Sequence, residues 1–329
     1  MEKRTLGKDG FEIGEVGIGC WQFGGDFGPM EERTAISILE TAVENGITFF
    51  DTADVYGAGR SEELIGRFLK TSGTPVRVAT KFGRGGELYP NNYSRQALRD
   101  AVQASLSRLG LDALDLLQLH CIPIEILRDG EVFGWLRDLR QEGLIKHFGA
   151  SVESVEQANL CMEQDGLLSL QVIYNMFRQK LTTELLPKAQ ERGVGLIVRL
   201  PLASGLLAGK YTKTTTFAES DHRNYNRDGQ YFSVGETFAG LPFEKGVELA
   251  DALKEYVPEG MTMAQMALRW ILDHEAVSVI IPGASSPAQA SSNAAVSDFD
   301  PLSAELHEIF QAFYEQQVHE HIRGAYECR

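Results

Sequence analysis

The chain has 329 residues, with 31 Lys plus Arg against 46 Asp plus Glu, a formal net charge of −15. It is 43% apolar and 23% charged, which suits a globular chain and excludes a disordered, collagenous or disulfide-stapled one. The acidic balance lacks the basic footprint of a nucleic-acid binder, and no run of about 18 apolar residues is present, so neither nucleic acid nor a membrane span is expected.

Such a length fits two small domains or one large α/β barrel, which runs to about 250 residues or more. The first residues, Met1-Glu2-Lys3-Arg4-Thr5, are charged and lead into no apolar signal core. Cys20, Cys121, Cys161 and Cys328 are scattered without metal spacing, so a reducing, cytoplasmic setting is expected.

In chain order, Arg4-Thr5-Leu6 and Phe11-Glu12-Ile13 flank Lys8-Asp9-Gly10. Asp-Gly between apolar flanks predicts a tight hairpin turn. Eight short apolar runs then read as buried strands: Val16–Cys20, Ile47–Phe50, Val76–Thr80, Leu114–Leu119, His147–Ala150, Leu170–Ile173, Gly195–Val198 and Val277–Ile281. Amphipathic stripes separate them, such as Ala35, Ile38, Leu39 and Ala42, or Leu64, Ile65, Phe68 and Leu69, or Leu98, Val102, Leu106 and Leu109. Continuous apolar strands alternating with helices mean a parallel sheet covered by helices.

Eight such units favour a closed (β/α)8 TIM barrel over an open doubly wound sheet. We expect one barrel domain over residues 1–329. Residues 1–15 would form a hairpin plugging the bottom, 202–240 a long cofactor or lid loop after strand 7, and 297–329 a C-terminal helix and tail. The polar stretch 210–240 is too long for a passive connection. Gly83-Arg84-Gly85-Gly86 reads as a flexible loop at the barrel mouth. His319-Glu320-His321 does not predict metal, because side chains at i and i+2 diverge on a helix, and Cys328 reads as an exposed tail thiol.

Barrel sites form at the carboxyl ends of strands, and here those ends carry Asp51, Lys81 and His120. Buried charge is costly unless paired, so Asp51 and Lys81, from neighbouring strands, are expected to pair. Tyr56 lies on the loop after Asp51 and can fold over them. A phenol has a reference pKa of about 10. A nearby ammonium is expected to lower it, making Tyr56 a donor to the alkoxide formed when hydride adds to a carbonyl. His120 would be neutral and hydrogen-bond the substrate oxygen.

Gly46-Ile47-Thr48-Phe49-Phe50-Asp51-Thr52-Ala53-Asp54-Val55-Tyr56-Gly57, followed by Ser61-Glu62-Glu63-Leu64-Ile65-Gly66, resembles the aldo-keto reductase signature. So do Ala79–Gly83, Leu116–His120, Pro201–Tyr211 and Ile281–Ser286 continued through Gln289 to Asn293. The resemblance implies a (β/α)8 barrel that reduces aldehydes or ketones with NADPH. It puts the family's catalytic tetrad on Asp51, Tyr56, Lys81 and His120, with Tyr56 the proton donor. It puts Trp21 and Asp51 near the nicotinamide ribose, and Ser151 and Gln171 at the carboxamide. Pro201, Leu202, Ala203, Ser204 and Gly205, with Lys210, would cross the pyrophosphate. Gly283, Ser285, Gln289 and Asn293 would meet the adenosine end, where Arg223 also reaches.

Two positions depart from the family pattern. Val152 stands where many members have Asn, and Arg199 where many stack Tyr or Trp on the nicotinamide; a guanidinium plane can stack too. Residues 284–289 hold no Lys or Arg, so the 2′-phosphate of NADP(H) would lean on Ser285, Lys210 and Arg223, with NAD(H) use alongside. The expected partner is a small-molecule carbonyl substrate; oligomeric state is not legible. Two rival functions remain open at this point: a lyase or aldolase using Lys81 as Schiff base, and a cofactor-sensing binding protein of the same fold.

Overall fold

The computed structural model describes residues 1–324. Strands β1 (Lys3–Thr5) and β2 (Glu12–Gly14) form an antiparallel hairpin. Eight parallel strands follow: β3 (Ile18–Gly19), β4 (Phe49–Asp51), β5 (Arg77–Phe82), β6 (Leu114–His120), β7 (Ile145–Ser151), β8 (Leu167–Ile173), β9 (Gly195–Arg199) and β10 (Val277–Ile280). They neighbour one another in chain order. Val16 and Gly19 then bridge in parallel to Ile280 and Gly283, and the Gly17 N–H donates to the Ile280 carbonyl at 2.8 Å. The eight strands therefore curl into a barrel, and the open doubly wound sheet is excluded.

Helices cover the outside. The helix Glu32–Glu44 turns Ala35, Ile38, Leu39 and Ala42 fully inward, as the 3.6-residue period requires. The helix Arg95–Leu109 starts on the Ser94 hydroxyl, which accepts from the Ala97 N–H, and stops at left-handed Gly110.

The hairpin turn differs from expectation. Residues 7–10 form the loop, with the Leu6 N–H donating to the Phe11 carbonyl at 3.0 Å. Gly7, rather than Asp9-Gly10, takes the left-handed conformation at φ +66°. The reason is docking: a Cβ on Gly7 would lie 2.6 Å from the Leu168 carbonyl oxygen, and the Lys8 N–H donates to the Gly193 carbonyl at 2.8 Å. Leu6 and Ile13 are buried against Phe49, Ala79, Leu116, Leu168, Ile197 and Val279. Burying each such side chain stabilises the barrel floor by about 1.5–3 kcal/mol.

Period-2 alternation carries this floor upward into a polar layer. Phe49, Ala79 and Leu116 belong to the floor cluster. Two residues on come Asp51, Lys81 and Gln118, and the last two both donate to the Asp51 carboxylate. His120 ends β6 one step higher.

Candidate active site

Lys81 is 1% exposed and its ammonium has three partners. The Asp51 carboxylate Oδ1 lies at 2.6 Å, the Thr52 carbonyl at 2.8 Å and the Tyr56 hydroxyl at 3.2 Å. The other oxygen of Asp51 accepts from Gln171 Nε2 at 2.7 Å and Gln118 Nε2 at 3.0 Å. A buried carboxylate is tolerable when paired and fully hydrogen-bonded, and this one is. Gln118 was not foreseen as a site residue. Its spacing from Leu116 and His120 on an alternating strand was the available signal.

The Tyr56 ring stands edge-on to His120 at 5.9 Å, and stacks with Trp21 at 5.9 Å and 22°. The loops carrying Trp21 and Tyr56 touch through backbone. A Cβ on Gly24 would lie 2.7 Å from Gly57 N, and one on Gly57 (φ +60°) 2.6 Å from Gly24 O. Only residues without side chains permit that approach.

The protonation states depart from expectation in one respect. Burial pushes the Tyr56 phenol up, and the Lys81 ammonium pulls it down without prevailing. The expected net lowering is therefore not what this environment produces: desolvating a phenolate outweighs one neighbouring charge. Burial works against the charge of Lys81, but Asp51 and Tyr56 together outweigh it and hold the ammonium up. Burial first, then the charges of Arg84, Lys81 and Arg199, keep His120 well below the usual imidazole range, so it is neutral near pH 7, as the sequence predicts.

These groups open onto a cavity of about 680 Å³. Asp51, Tyr56, His120, Trp21, Gln171, Arg199, Pro201, Leu202, Ser204, Gly205, Lys210, Arg223, Gly283, Ser285, Gln289 and Asn293 all line it. Ser151 and Ala203 are buried off its wall. Ser151 Oγ lies 3.6 Å from Cys121 Sγ, and Cys121 is off the wall as well. The long segment 210–240 folds over the opening through Tyr211, Arg223, Tyr225, Phe232 and Glu236.

Residues 83–86 are not a free loop. Arg84 makes a two-point ion pair with Glu236 at 2.8 and 3.0 Å, and reaches Glu153 at 3.4 Å. Arg199 lies 3.3 Å from Glu236 and donates to Cys121 Sγ at 3.5 Å. Burial works against the Glu236 carboxylate, but the two guanidiniums outweigh it and hold it down at about 2. Glu153 is pushed up to about 7 by burial and by the Glu236 charge. Cys121 is likewise raised by burial despite its arginine neighbours, so it is a thiol. The glycine-rich run 83–86 marked the place of Arg84 at the barrel mouth but not its partners, and no composition signal marked Glu153 or Glu236.

At the far end the Ser286 hydroxyl caps the helix Pro287–Ala294. Ser285 donates through N–H and hydroxyl to Gln289 Oε1 at 2.7 and 2.9 Å. Asn293 Nδ2 donates to the Gly283 carbonyl at 3.3 Å. Arg223 is bound in two-point fashion to Asp221 and donates to the Tyr211 hydroxyl at 2.6 Å. Lys210, by contrast, is exposed and makes no ion pair among the described residues. Leu200, Ala203 and Ser204 have positive φ beside Gly205, and such strain concentrates where chain meets ligand. A helix N-terminus, amide side chains, hydroxyls and a free ammonium in one long cavity are the donor set a dinucleotide phosphate needs. The residues present therefore fit a nicotinamide dinucleotide.

The sequence matches the aldo/keto reductase family over residues 15–315. The chain belongs to the aldo/keto reductase family. As an aldo-keto reductase it is an NAD(P)H-dependent oxidoreductase of small-molecule carbonyl compounds. It is 31% identical to aldo-keto reductase YhdN of Bacillus subtilis, over 88% of this chain and 86% of that one. Among solved structures it is similar to aldo-keto reductase AKR11C1 from Bacillus halodurans, with TM-score 0.77 and 28% identity over 96% of this chain and 99% of that one. It is similar also to glycerol dehydrogenase AKR11B4 from Gluconobacter oxydans, with TM-score 0.78 and 29% identity over 96% of both chains. Among the described residues no helix of this aldo-keto reductase is long and apolar enough to cross a membrane. His319–His321 form a short 3₁₀ turn, and Cys328 lies outside the described residues.

Proposed function

We propose that this chain reduces aldehydes or ketones to alcohols with NADPH as reductant and Tyr56 as general acid. The observation that carries the reading is one ammonium within hydrogen-bond reach of both the Asp51 carboxylate and the Tyr56 hydroxyl. The reduced nicotinamide, when bound, supplies the hydride. Everything else falls to this chain. Tyr56 donates its phenolic proton to the carbonyl oxygen as negative charge develops there. Lys81 stabilises the phenolate left behind, which matters because burial otherwise opposes it. Asp51 holds Lys81 charged, and Gln118 and Gln171 hold Asp51. Neutral His120 hydrogen-bonds the substrate oxygen.

Gln171, Arg199, Pro201, Leu202, Ser204, Gly205 and Lys210, with Gly283, Ser285, Gln289 and Asn293, would hold the cofactor. Ser151, buried off the cavity wall, would reach the carboxamide only if the wall beside Cys121 opens. Lys210 is the better candidate for the 2′-phosphate than Arg223, whose charge Asp221 neutralises. The Schiff-base reading is disfavoured, because Lys81 is protonated, enclosed and triply hydrogen-bonded, whereas an amine nucleophile must be neutral and reachable. A pure cofactor sensor would leave the tetrad geometry without purpose.

The test is cofactor oxidation by a panel of aldehydes, ketones and sugars, with NADPH and with NADH. Wild type should turn over aldehydes with NADPH, and Lys210→Ala should raise the KM for NADPH more than that for NADH. A protein that binds NADPH yet oxidises it with no carbonyl would be a sensor, and borohydride trapping of a carbonyl on Lys81 would point to the lyase.

A further inference from the structure

Gln118 is fully buried on the inward face of β6, directly beside Lys81 in register. It lies off the cavity wall, so it is not placed to touch substrate or cofactor. Its side chain serves one acceptor. Nε2 donates to Asp51 Oδ2 at 3.0 Å, where Gln171 Nε2 also donates at 2.7 Å.

The other end of the amide is costly. Gln118 Oε1 is buried without a hydrogen-bond partner, and its register neighbour on β7 is Gly149, which has no side chain to offer one. An apolar side chain of this size would fill the position without burying an unpaired oxygen. The amide is therefore explained by what its nitrogen does.

What the nitrogen does bears on Lys81. The ammonium is shared unequally, 2.6 Å from Asp51 Oδ1 and 3.2 Å from the Tyr56 hydroxyl. Both oxygens compete for its charge. A more basic Asp51 would draw the Lys81 proton onto itself, and a neutral amine cannot stabilise a phenolate. An N–H donated to Oδ2 favours the ionised carboxylate and so keeps that proton on nitrogen. In a buried site such donation counts for more than it does in water. Gln171 lines the cavity and is assigned to the cofactor. Gln118 is then the donor that stays with Asp51 when the cofactor is bound.

We propose that Gln118 is a positioning residue of the reduction: by donating to Asp51 Oδ2 it keeps the proton on Lys81 rather than on Asp51, and so leaves the ammonium available to the Tyr56 phenolate. The proposal deepens the reading of Tyr56 as general acid and rests on it.

The experiment compares Gln118→Met and Gln118→Glu with wild type in single-turnover oxidation of NADPH by a small aldehyde, from about pH 5.5 to pH 10. Gln118→Met keeps the volume and deletes the donor. Its rate should fall about 10- to 100-fold, the size of a hydrogen bond to a charged group. NADPH affinity should be unchanged, and the alkaline limb should move up, because the phenol is then less acidic. Gln118→Glu restores a donor only while protonated, when its O–H takes the place of the amide N–H. Burial beside Asp51 raises the introduced carboxyl, as Glu153 is raised beside Glu236. Its rate should be close to wild type at the acid end and fall through neutral pH. Tyr56 and Asp54 after β4, Cys20 after β3 and His120 at the end of β6 also face Lys81. Wild type shares them, so the quantity read is the ratio of variant to wild type at each pH. A Gln118→Met rate equal to wild type, or a Gln118→Glu ratio that does not change with pH, would overturn the proposal and leave reduction through Tyr56 standing. Thermal unfolding checks the fold, and if Gln118→Met does not fold, the Gln118→Glu ratio decides alone. A Tyr56→Phe variant as fast as wild type would instead overturn the reading of Tyr56 and the role of Gln118 with it.

Discussion

Arg84 and Glu236 stand 152 positions apart in the chain and close a two-point ion pair over the barrel mouth. Arg84 is carried by the loop after β5, Glu236 by the segment folded over the cavity. Removing one member of a buried pair leaves the other charge unsolvated. Arg199 remains beside Glu236, so Arg84→Ala should cost somewhat less than a fully isolated pair, about 2–3 kcal/mol. It should also free the covering segment. The measurements are thermal unfolding and the dissociation rate of NADPH by stopped-flow fluorescence; both should change, and an unchanged dissociation rate would show that the pair does not fasten the segment.

Gly57 and Gly24 set the distance between the Tyr56 and Trp21 loops. Gly57→Ala puts a Cβ 2.6 Å from a carbonyl oxygen at φ +60°, a strain of about 1–3 kcal/mol. The relief is separation of the two loops, which moves Tyr56 from Lys81. We predict lower stability together with kcat reduced at least tenfold, since small displacements of reacting groups are costly. Stability loss with full kcat would mean that the loops shift without carrying Tyr56.

The pH dependence of reduction follows from the directions of the shifts. Tyr56 must be protonated to act, and burial holds its pKa above the ordinary phenol value. The rate of reduction should stay level through neutral pH and fall only as Tyr56 ionises at alkaline pH. His120 is held neutral well below its usual range, so no step is expected near pH 6.5. Glu153 and Asp54 are carboxyls raised to about 7 by burial, so only a step that survives in both Glu153→Gln and Asp54→Asn would make His120 the titrating group.

Glu153 gives a separate pH signature in stability. Its pKa rises from the ordinary carboxyl value to about 7, through burial and the Glu236 charge. Between those values the folded chain binds a proton that the unfolded chain has released, so this group's contribution falls as pH rises. Buried His222, lowered to about 4 by burial, acts in the opposite sense over an overlapping window. The clean measurement is therefore a difference. Urea unfolding of Glu153→Gln against wild type should show the variant gaining relative stability from about pH 5 to pH 8, and a constant difference would contradict the shift.

Much of this architecture was legible because strand alternation and helix period are local. The run Leu116, Gln118, His120 already places floor, support and site on one face of one strand. The ends of β4, β5 and β6 delivered Asp51, Lys81 and His120 to one place. What escaped was set by distant packing. Gly7 turns the hairpin because Leu168 and Gly193 lie beneath it. Arg84 finds Glu236 only after the barrel closes, and neither has a motif. The net upward shift of Tyr56 depends on how deeply the phenol is enclosed, which residue type and neighbour identity do not reveal.

The central claim is that Lys81 lets Tyr56 give up its proton at the moment a carbonyl is reduced. Single-turnover oxidation of bound NADPH by a small aldehyde tests it, comparing wild type with Tyr56→Phe. The account predicts that Tyr56→Phe binds NADPH as wild type does and oxidises it about 10²–10⁴-fold more slowly. Oxidation at the wild-type rate would contradict it.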